Sequence, residues 1–484
     1  MSLFSEVLKE YVKGSRRSVS KLSLEAEIDR TLFHKYLSGN RLPKNRKEVK
    51  RIAHTLMLPP NQQDILLEHY AKSVYGEKNY ESFGKIRHIL GGMHDLRIAE
   101  GQKILDVDIV QKLSQTDKKD GLAFCGKLQV EDALIQLLWL AAGRGGKGRV
   151  QAKMMVQPDQ ENIIKPILRV CSRLDIELEH IICLDCDRNE NDNIGLLRSV
   201  LAFEFSNVTY QSYFYYGNPG YQANQMSLLP NLVLVGGFAF LCSSGADDCL
   251  ILRQEAEVGF FQREYEKIKS NTEKLGMAIQ DAGELAEAVG VITGKSPVEL
   301  QLGHAPYLLL GIHEKMLQGH LLLEPKMKEP VLQAARQSVE RAMEGRGFQD
   351  YFAEPGLRSF LETGQIPGYP PQVLHPFAPQ ERAAILTRLL QLLKGDYFSF
   401  YMADEAKLQL DCRVMVFASR GGDVNFWYRK GIYGKAITVR EASIRDSLYR
   451  FADYAKENGW FYGRRETIWR MERLLVEFTP CGRC

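Results

Sequence analysis

The sequence predicts a multidomain chain: an all-α N-terminal domain, then an α/β region, then an α+β region. Three observations carry this. The 484 residues are too many for one ordinary core, since domains run to about 100–200 residues. Apolar residues near the N-terminus recur only at helical spacing, with no alternating pattern. From Gly121 onward, helical stretches alternate with β-branched and aromatic runs. With 45% hydrophobic and 25% charged residues, long disordered tracts are not expected.

In the first domain, residues 1–76, the helical stripes are Phe4, Leu8 and Tyr11, then Leu22, Ala26 and Ile28, then Phe33, Tyr36 and Leu37. Val49, Ile52, Ala53 and Leu56 form the next, which Pro59 and Pro60 end. A further helix begins at Asn61 and reaches about Tyr75. Residues 77–120 read as a charged, partly helical connector. Residues 121–275 read as an α/β sensor or assembly domain, with helices over 130–142, 161–174 and 193–202. Its strands are expected over 149–156, 176–184, 208–216 and 232–241, in a largely parallel sheet closed by a long polar helix over 247–274. Residues 276–484 read as an α+β region of unassigned role, helical and irregular to about Leu393. Strands follow over 397–402, 408–418, 424–428 and 436–440, then helices from Ser443 and over 466–478. The S-I-R-D run at 443–446 has capping-box spacing. No internal repeat is visible in the sequence.

Charge is uneven. The first 60 residues hold 13 Lys and Arg against 6 Asp and Glu, a net +7, which leaves −4 for the rest of a chain whose total is +3. A basic end on a mildly acidic body fits a polyanion-binding module; a solvated basic face has the same charge. The nine cysteines are odd in number and irregular in spacing, as in a reduced cytosolic protein and not a disulfide framework. The N-terminal run has no apolar core followed by a cleavage site. The longest apolar stretch, 228–242, is interrupted by Pro230, Asn231 and a Gly pair, short of the roughly 20 residues of a membrane span. A soluble, cytoplasmic protein with no membrane partner is expected.

Residues 18–36 carry the parts of a helix-turn-helix. Leu22 and Ala26 lie four apart on the first helix, and Ile28 is the apolar plug of the turn. Asp29 is placed to cap the second helix. Phe33 and Tyr36 face inward, leaving Arg30, Thr31, His34 and Lys35 outward. Gly39 suits a helix C-cap at positive φ.

The run Tyr36-Leu37-Ser38-Gly39-Asn40-Arg41-Leu42-Pro43 resembles the end of the recognition helix in lambda-repressor-like (Xre-type) helix-turn-helix regulators. Ile52, Ala53 and Leu56 resemble the family's fourth helix, and residues 66–70 its fifth. The resemblance covers residues 18–75. Val19 stands where the family often has Gln, Ser23 where it often has Ala, and Glu27 where it usually has Gly. Glu27 fits that turn in a left-handed conformation. The resemblance implies that the second helix reads the major groove of double-stranded DNA. Arg30 would meet guanine or a phosphate, and Thr31 and His34 base edges. Lys35, Asn40, Arg41 and Lys44 would meet phosphates, as would Ser18 and Ser20. A single such motif buries little surface, so a homodimer on a two-fold operator is expected. The rest of the chain would assemble subunits or sense an effector.

Other constellations fall short. The Gly-rich run at 143–149 lacks P-loop spacing and runs from helix into strand. Residues 185–189 begin like a calcium loop, but Glu190 and Leu196 stand where Gly and Glu are needed; this loop is a weak effector-site candidate at a strand end. The pairs Cys183/Cys186 and Cys481/Cys484 lie far apart for one zinc site. The ten histidines form no H-E-x-x-H motif, no G-x-S-x-G elbow occurs, and Glu284 with Glu287 fits a solvated helix face. No metal, cofactor or enzyme activity is therefore expected. An enzyme with an accessory DNA-binding domain and a scaffold with a protein-binding helical head are the alternative readings.

Overall fold

The computed structural model describes residues 2–93, 111, 113, 121–144, 149–185, 193–206, 208–217, 228–279, 283–284, 298–344, 347–395, 398–429 and 434–479. The chain divides into two compact units: Met1–Ile86 with Ser447–Phe461, and Arg87–Asp446 with Tyr462–Cys484. It is a multidomain protein with a helical N-terminal region followed by mixed sheets.

The first unit contains α1 (Leu3–Gly14), α2 (Val19–Glu25), α3 (Arg30–Ser38), α4 (Arg46–Thr55), α5 (Pro60–Tyr75) and the start of α6 (Glu77–Leu90). Their apolar stripes meet in one core of Phe4, Leu8, Leu22, Phe33, Tyr36, Val49, Ile52 and Leu66, among others. Phe4 and Tyr70 pack edge to face at 5.7 Å. The Tyr70 hydroxyl donates to the Pro43 carbonyl at 3.1 Å, so its buried oxygen is not left unsatisfied. Residues 447–461 complete the unit. Phe83 stacks on Tyr454 at 4.8 Å, and Phe451 packs against Phe83. The Tyr75 hydroxyl donates to Glu457 Oε2 at 3.0 Å. Arg450 donates to Asn79 Oδ1 at 2.9 Å across 371 positions of sequence.

Among the described residues, the second unit holds two sheets. The first comprises β1 (Leu122–Cys125), β2 (Val150–Met155), β3 (Ile176–Asp185), β4 (Thr209–Gly217), β5 (Asn231–Val235), β6 (Phe238–Cys242), β7 (Asp248–Leu252) and β8 (Glu273–Lys274), in the order β1-β7-β6-β5-β2-β3-β4-β8. Only β2, β3 and β4 run parallel to one another, so the expected largely parallel sheet is corrected to a mixed one. The single strand expected over 232–241 is a hairpin. Gly236 and Gly237 take φ of 54° and 81°, the positive values that a tight hairpin turn demands. A Cβ on Gly236 would lie 2.6 Å from that of Ala141, so only glycine lets the helix Lys127–Arg144 approach. The long helix expected over 247–274 is instead β7, the helix Glu255–Lys269 and β8. Ser243 Oγ accepts from the amides of Asp247 and Asp248, each at 3.1 Å, which fixes a turn before β7.

The second sheet comprises β9 (Gly276–Ile279), β10 (Leu300–Gly303), β11 (Phe348–Phe352), β12 (Phe398–Met402), β13 (Val414–Ala418), β14 (Val424–Tyr428) and β15 (Gly434–Val439), in the order β12-β11-β10-β13-β14-β15-β9. β9, β10 and β11 occupy segments expected to be helical or irregular. β10 is buried at every position, so it has no alternation to read. Ser443 lies inside the helix Ala442–Glu457 and its amide donates to Glu441 at 2.9 Å, so the expected capping box does not form.

The two sheets repeat one topology that the sequence does not reveal. In each, the first strand pairs with the last strand of the meander, β1 with β7 and β9 with β15, and β8 is an addition at the edge of the first sheet. Three parallel strands follow, β2-β3-β4 and β10-β11-β12. A three-strand antiparallel meander then packs beside the first parallel strand, β5-β6-β7 on β2 and β13-β14-β15 on β10. Lys435 of β15 forms an ion pair with Glu204 of the helix Asn193–Phe205, and also donates to the Tyr210 carbonyl of β4 at 3.2 Å. Glu204 is 2% exposed, so this pair ties the repeats through a buried charge.

Candidate nucleic-acid interface

The site is built on α2 and α3. Ser18 caps α2, its Oγ accepting from the Lys21 amide at 3.3 Å. Asp29 caps α3, its Oδ1 accepting from the Leu32 amide at 3.0 Å. The turn between them closes through Ile28 N donating to Ser23 O at 2.9 Å, with Ile28 buried as the plug. Glu27 takes φ 53° there, the left-handed conformation that the turn requires. Leu22, Ala26, Phe33 and Tyr36 are each at most 1% exposed. Burial, then the neighbouring Glu48, pushes the Tyr36 hydroxyl up to about 12, so it stays neutral in the core. Gly39 ends α3 at φ 78°.

Ser18, Ser20, Arg30, Thr31, His34, Lys35, Asn40, Arg41 and Lys44 all lie at the surface. Arg30 and His34 are one helical turn apart on α3, as are Thr31 and Lys35. Among the described residues, Arg30, His34 and Lys35 enter no ion pair. Ser18 spends acceptor capacity on its cap, and the Lys44 amide donates to Glu48 at 2.8 Å. By contrast, Arg17 is committed to Glu25 and to the Thr55 carbonyl, and Arg51 to Glu27 at 3.3 Å. On α4, Lys47 and Lys50 add exposed cations one turn apart that the sequence reading omits. Their spacing of three was the available signal.

The other sequence candidates do not gather into a site. Cys183 is buried and its thiol contacts the Leu184 carbonyl at 3.8 Å. Cys186, Cys481, Cys484, Glu287, positions 186–190 and positions 145–148 lie outside the described residues. Among the described residues, no three His, Cys, Asp or Glu side chains group to hold a metal. No helix among them is long and apolar enough to cross a membrane.

No protein-family model and no curated protein matches the chain. Among solved structures it is similar to polyphosphate kinase from Porphyromonas gingivalis, with 12% identity and a TM-score of 0.23, over 91% of this chain and 64% of that one, less than two thirds of the kinase's length. It is also similar to TrmBL2, an archaeal chromatin protein whose structure shows a novel mode of DNA binding, with 10% identity and a TM-score of 0.21, over 45% of this chain and 71% of that one.

Proposed function

We propose that this chain is a sequence-specific transcriptional regulator of the Xre type, which reads double-stranded DNA through a helix-turn-helix formed by α2 and α3. The observation that carries this reading is the division of α3. Phe33 and Tyr36 are buried on one side, while Arg30, Thr31, His34 and Lys35 stand exposed on the other, and among the described residues no ion pair there competes for a phosphate or a base. Arg30 has the fork to engage guanine, and Thr31 and His34 reach base edges. Lys35, Asn40, Arg41, Lys44, Ser18 and Ser20 meet the backbone and set the register. The protein acts as a homodimer on a two-fold site, and the two-sheet unit senses an effector or assembles subunits.

The test is recovery of bound genomic fragments with the full-length protein, followed by footprinting and salt titration. Specific protection should vanish in Arg30→Ala. The logarithm of affinity should fall linearly with the logarithm of salt, and Lys44→Ala should lower that slope by about 0.9. Binding independent of salt, or protection unchanged in Arg30→Ala, overturns the reading. Capture of a partner protein with no DNA bound would favour a protein-binding helical head.

A further inference from the structure

One face of the second sheet is hollow. A cavity of about 70 Å³ opens over it, lined mainly by apolar and aromatic side chains. The strand register puts its floor on one side of the sheet. Gln301 of β10 lies opposite Phe417 of β13, Met415 lies two residues before Phe417, and Trp427 of β14 lies opposite Met415. Tyr307 and Tyr369 contribute aromatic walls. The segment 305–309 that closes one side follows the carboxyl end of β10, the parallel strand beside the meander. Ligands of open α/β sheets sit beyond such strand ends.

Two polar atoms in this apolar lining are unsatisfied, and they differ in sense. Gln301 is 1% exposed; its Nε2 donates to the Ala305 carbonyl at 3.0 Å, while its Oε1 accepts from nothing among the described residues. Trp427 is 4% exposed, and its indole Nε1–H likewise has no acceptor among them. A native core seldom leaves such groups without partners. Among the described residues, no charged side chain lines the pocket. The nearest carboxyl in register, Asp350 of β11 beside Gln301, is fully buried. Burial pushes it up to about 8, so its neutral form prevails at pH 7. A charged ligand would thus enter a low-dielectric site with no counter-charge.

We propose that this pocket binds a neutral, flat, largely apolar small molecule with both a hydrogen-bond donor and an acceptor, the chemistry of an aromatic lactam or amide. The donor is received by Gln301 Oε1 and the acceptor by Trp427 Nε1–H. Tyr307, Tyr369, Met415 and Phe417 hold the apolar body. The inference does not rest on the DNA-binding reading, because its readout is ligand binding alone.

The test is ligand-observed NMR and calorimetry on the full-length protein with three probes: 2-quinolone, 1-methyl-2-quinolone, which lacks the donor, and 2-naphthoate, which is charged. The expected result is binding of 2-quinolone, at least about fivefold weaker binding of the N-methyl analogue, and none of 2-naphthoate. Trp427→Phe, which removes the indole donor together with part of the ring, should weaken 2-quinolone at least about fivefold while lowering the melting temperature only modestly. The inference is overturned if 2-quinolone fails to bind at millimolar concentration, if the N-methyl analogue or 2-naphthoate binds equally well, or if folded Trp427→Phe binds 2-quinolone like the parent. Should Trp427→Phe fail to fold, the ranking of the three probes on the parent protein decides alone.

Discussion

Glu27 holds the turn between α2 and α3 at φ 53°, a conformation that costs a residue with a Cβ about 1–2 kcal/mol. Its ion pair with Arg51 is exposed on both sides and returns little. Glu27→Gly should therefore raise the stability of the helical unit by up to about 1 kcal/mol, measured by urea unfolding of the full chain. Two buried groups set opposite pH dependences. His180 Nε2–H donates to the Val156 carbonyl at 2.6 Å, and its Nδ1 accepts from the Tyr210 hydroxyl at 2.7 Å. Burial lowers it from 6.5 to about 4. Between those values the unfolded chain binds the extra proton, so stability is lost as pH falls from 6.5 toward 4. Asp350 is the reverse: burial raises it from 3.8 to about 8. The folded form keeps a proton that the unfolded form releases, so stability declines as pH rises from about 4 to 8, by at most about 1.4 kcal/mol per pH unit. Asp350→Asn keeps an acceptor for the Tyr307 amide, which Asp350 now bonds at 2.7 Å. It should melt higher than the parent at pH 8, with the gap closing toward pH 5.

At the scale of elements, α2 and α3 were legible because everything that shapes them is local. Two caps, a plug and a glycine stop lie within about two dozen residues, and the apolar spacing of Leu22, Ala26, Phe33 and Tyr36 names the buried side before any packing is known. The segment 447–461 was not legible as part of this unit. Nothing local marks a helix for a partner 371 positions away; the aromatic contacts among Tyr75, Tyr80, Phe83, Phe451 and Tyr454 do so only in three dimensions. Tyr454 is 7% exposed, so Tyr454→Ala should destabilise the unit by about 3–5 kcal/mol in thermal unfolding of the full chain. A loss below about 1 kcal/mol would mean that this segment contributes little. β10 and β11 were missed for another reason. Strands this short, buried on both faces, lack the period of two that separates a strand from a buried helix turn.

At the scale of the whole molecule, the repeated topology of the two sheets explains why one buried charge pair can matter. Glu204 and Lys435 belong to different repeats and are 2% and 17% exposed. Removing one partner leaves the other charge buried and uncompensated, so Lys435→Met should cost about 3–5 kcal/mol. Adding Glu204→Leu should restore most of that loss, and thermal unfolding of the single and double variants checks both. A single variant no less stable than the double would deny the pair this role.

By itself, the amino-acid sequence determined the helical N-terminal region, the buried and exposed sides of α3, and the surface position of every residue proposed to touch DNA. These follow from caps, turns and helical periodicity, which act within a few residues. Only the tertiary structure decided the mixed strand order, the duplicated topology, the return of 447–461 to the first unit, and the pocket that Gln301 and Trp427 both line. Those depend on pairings between distant segments. Their energy comes from burial and strand register, which no local pattern encodes.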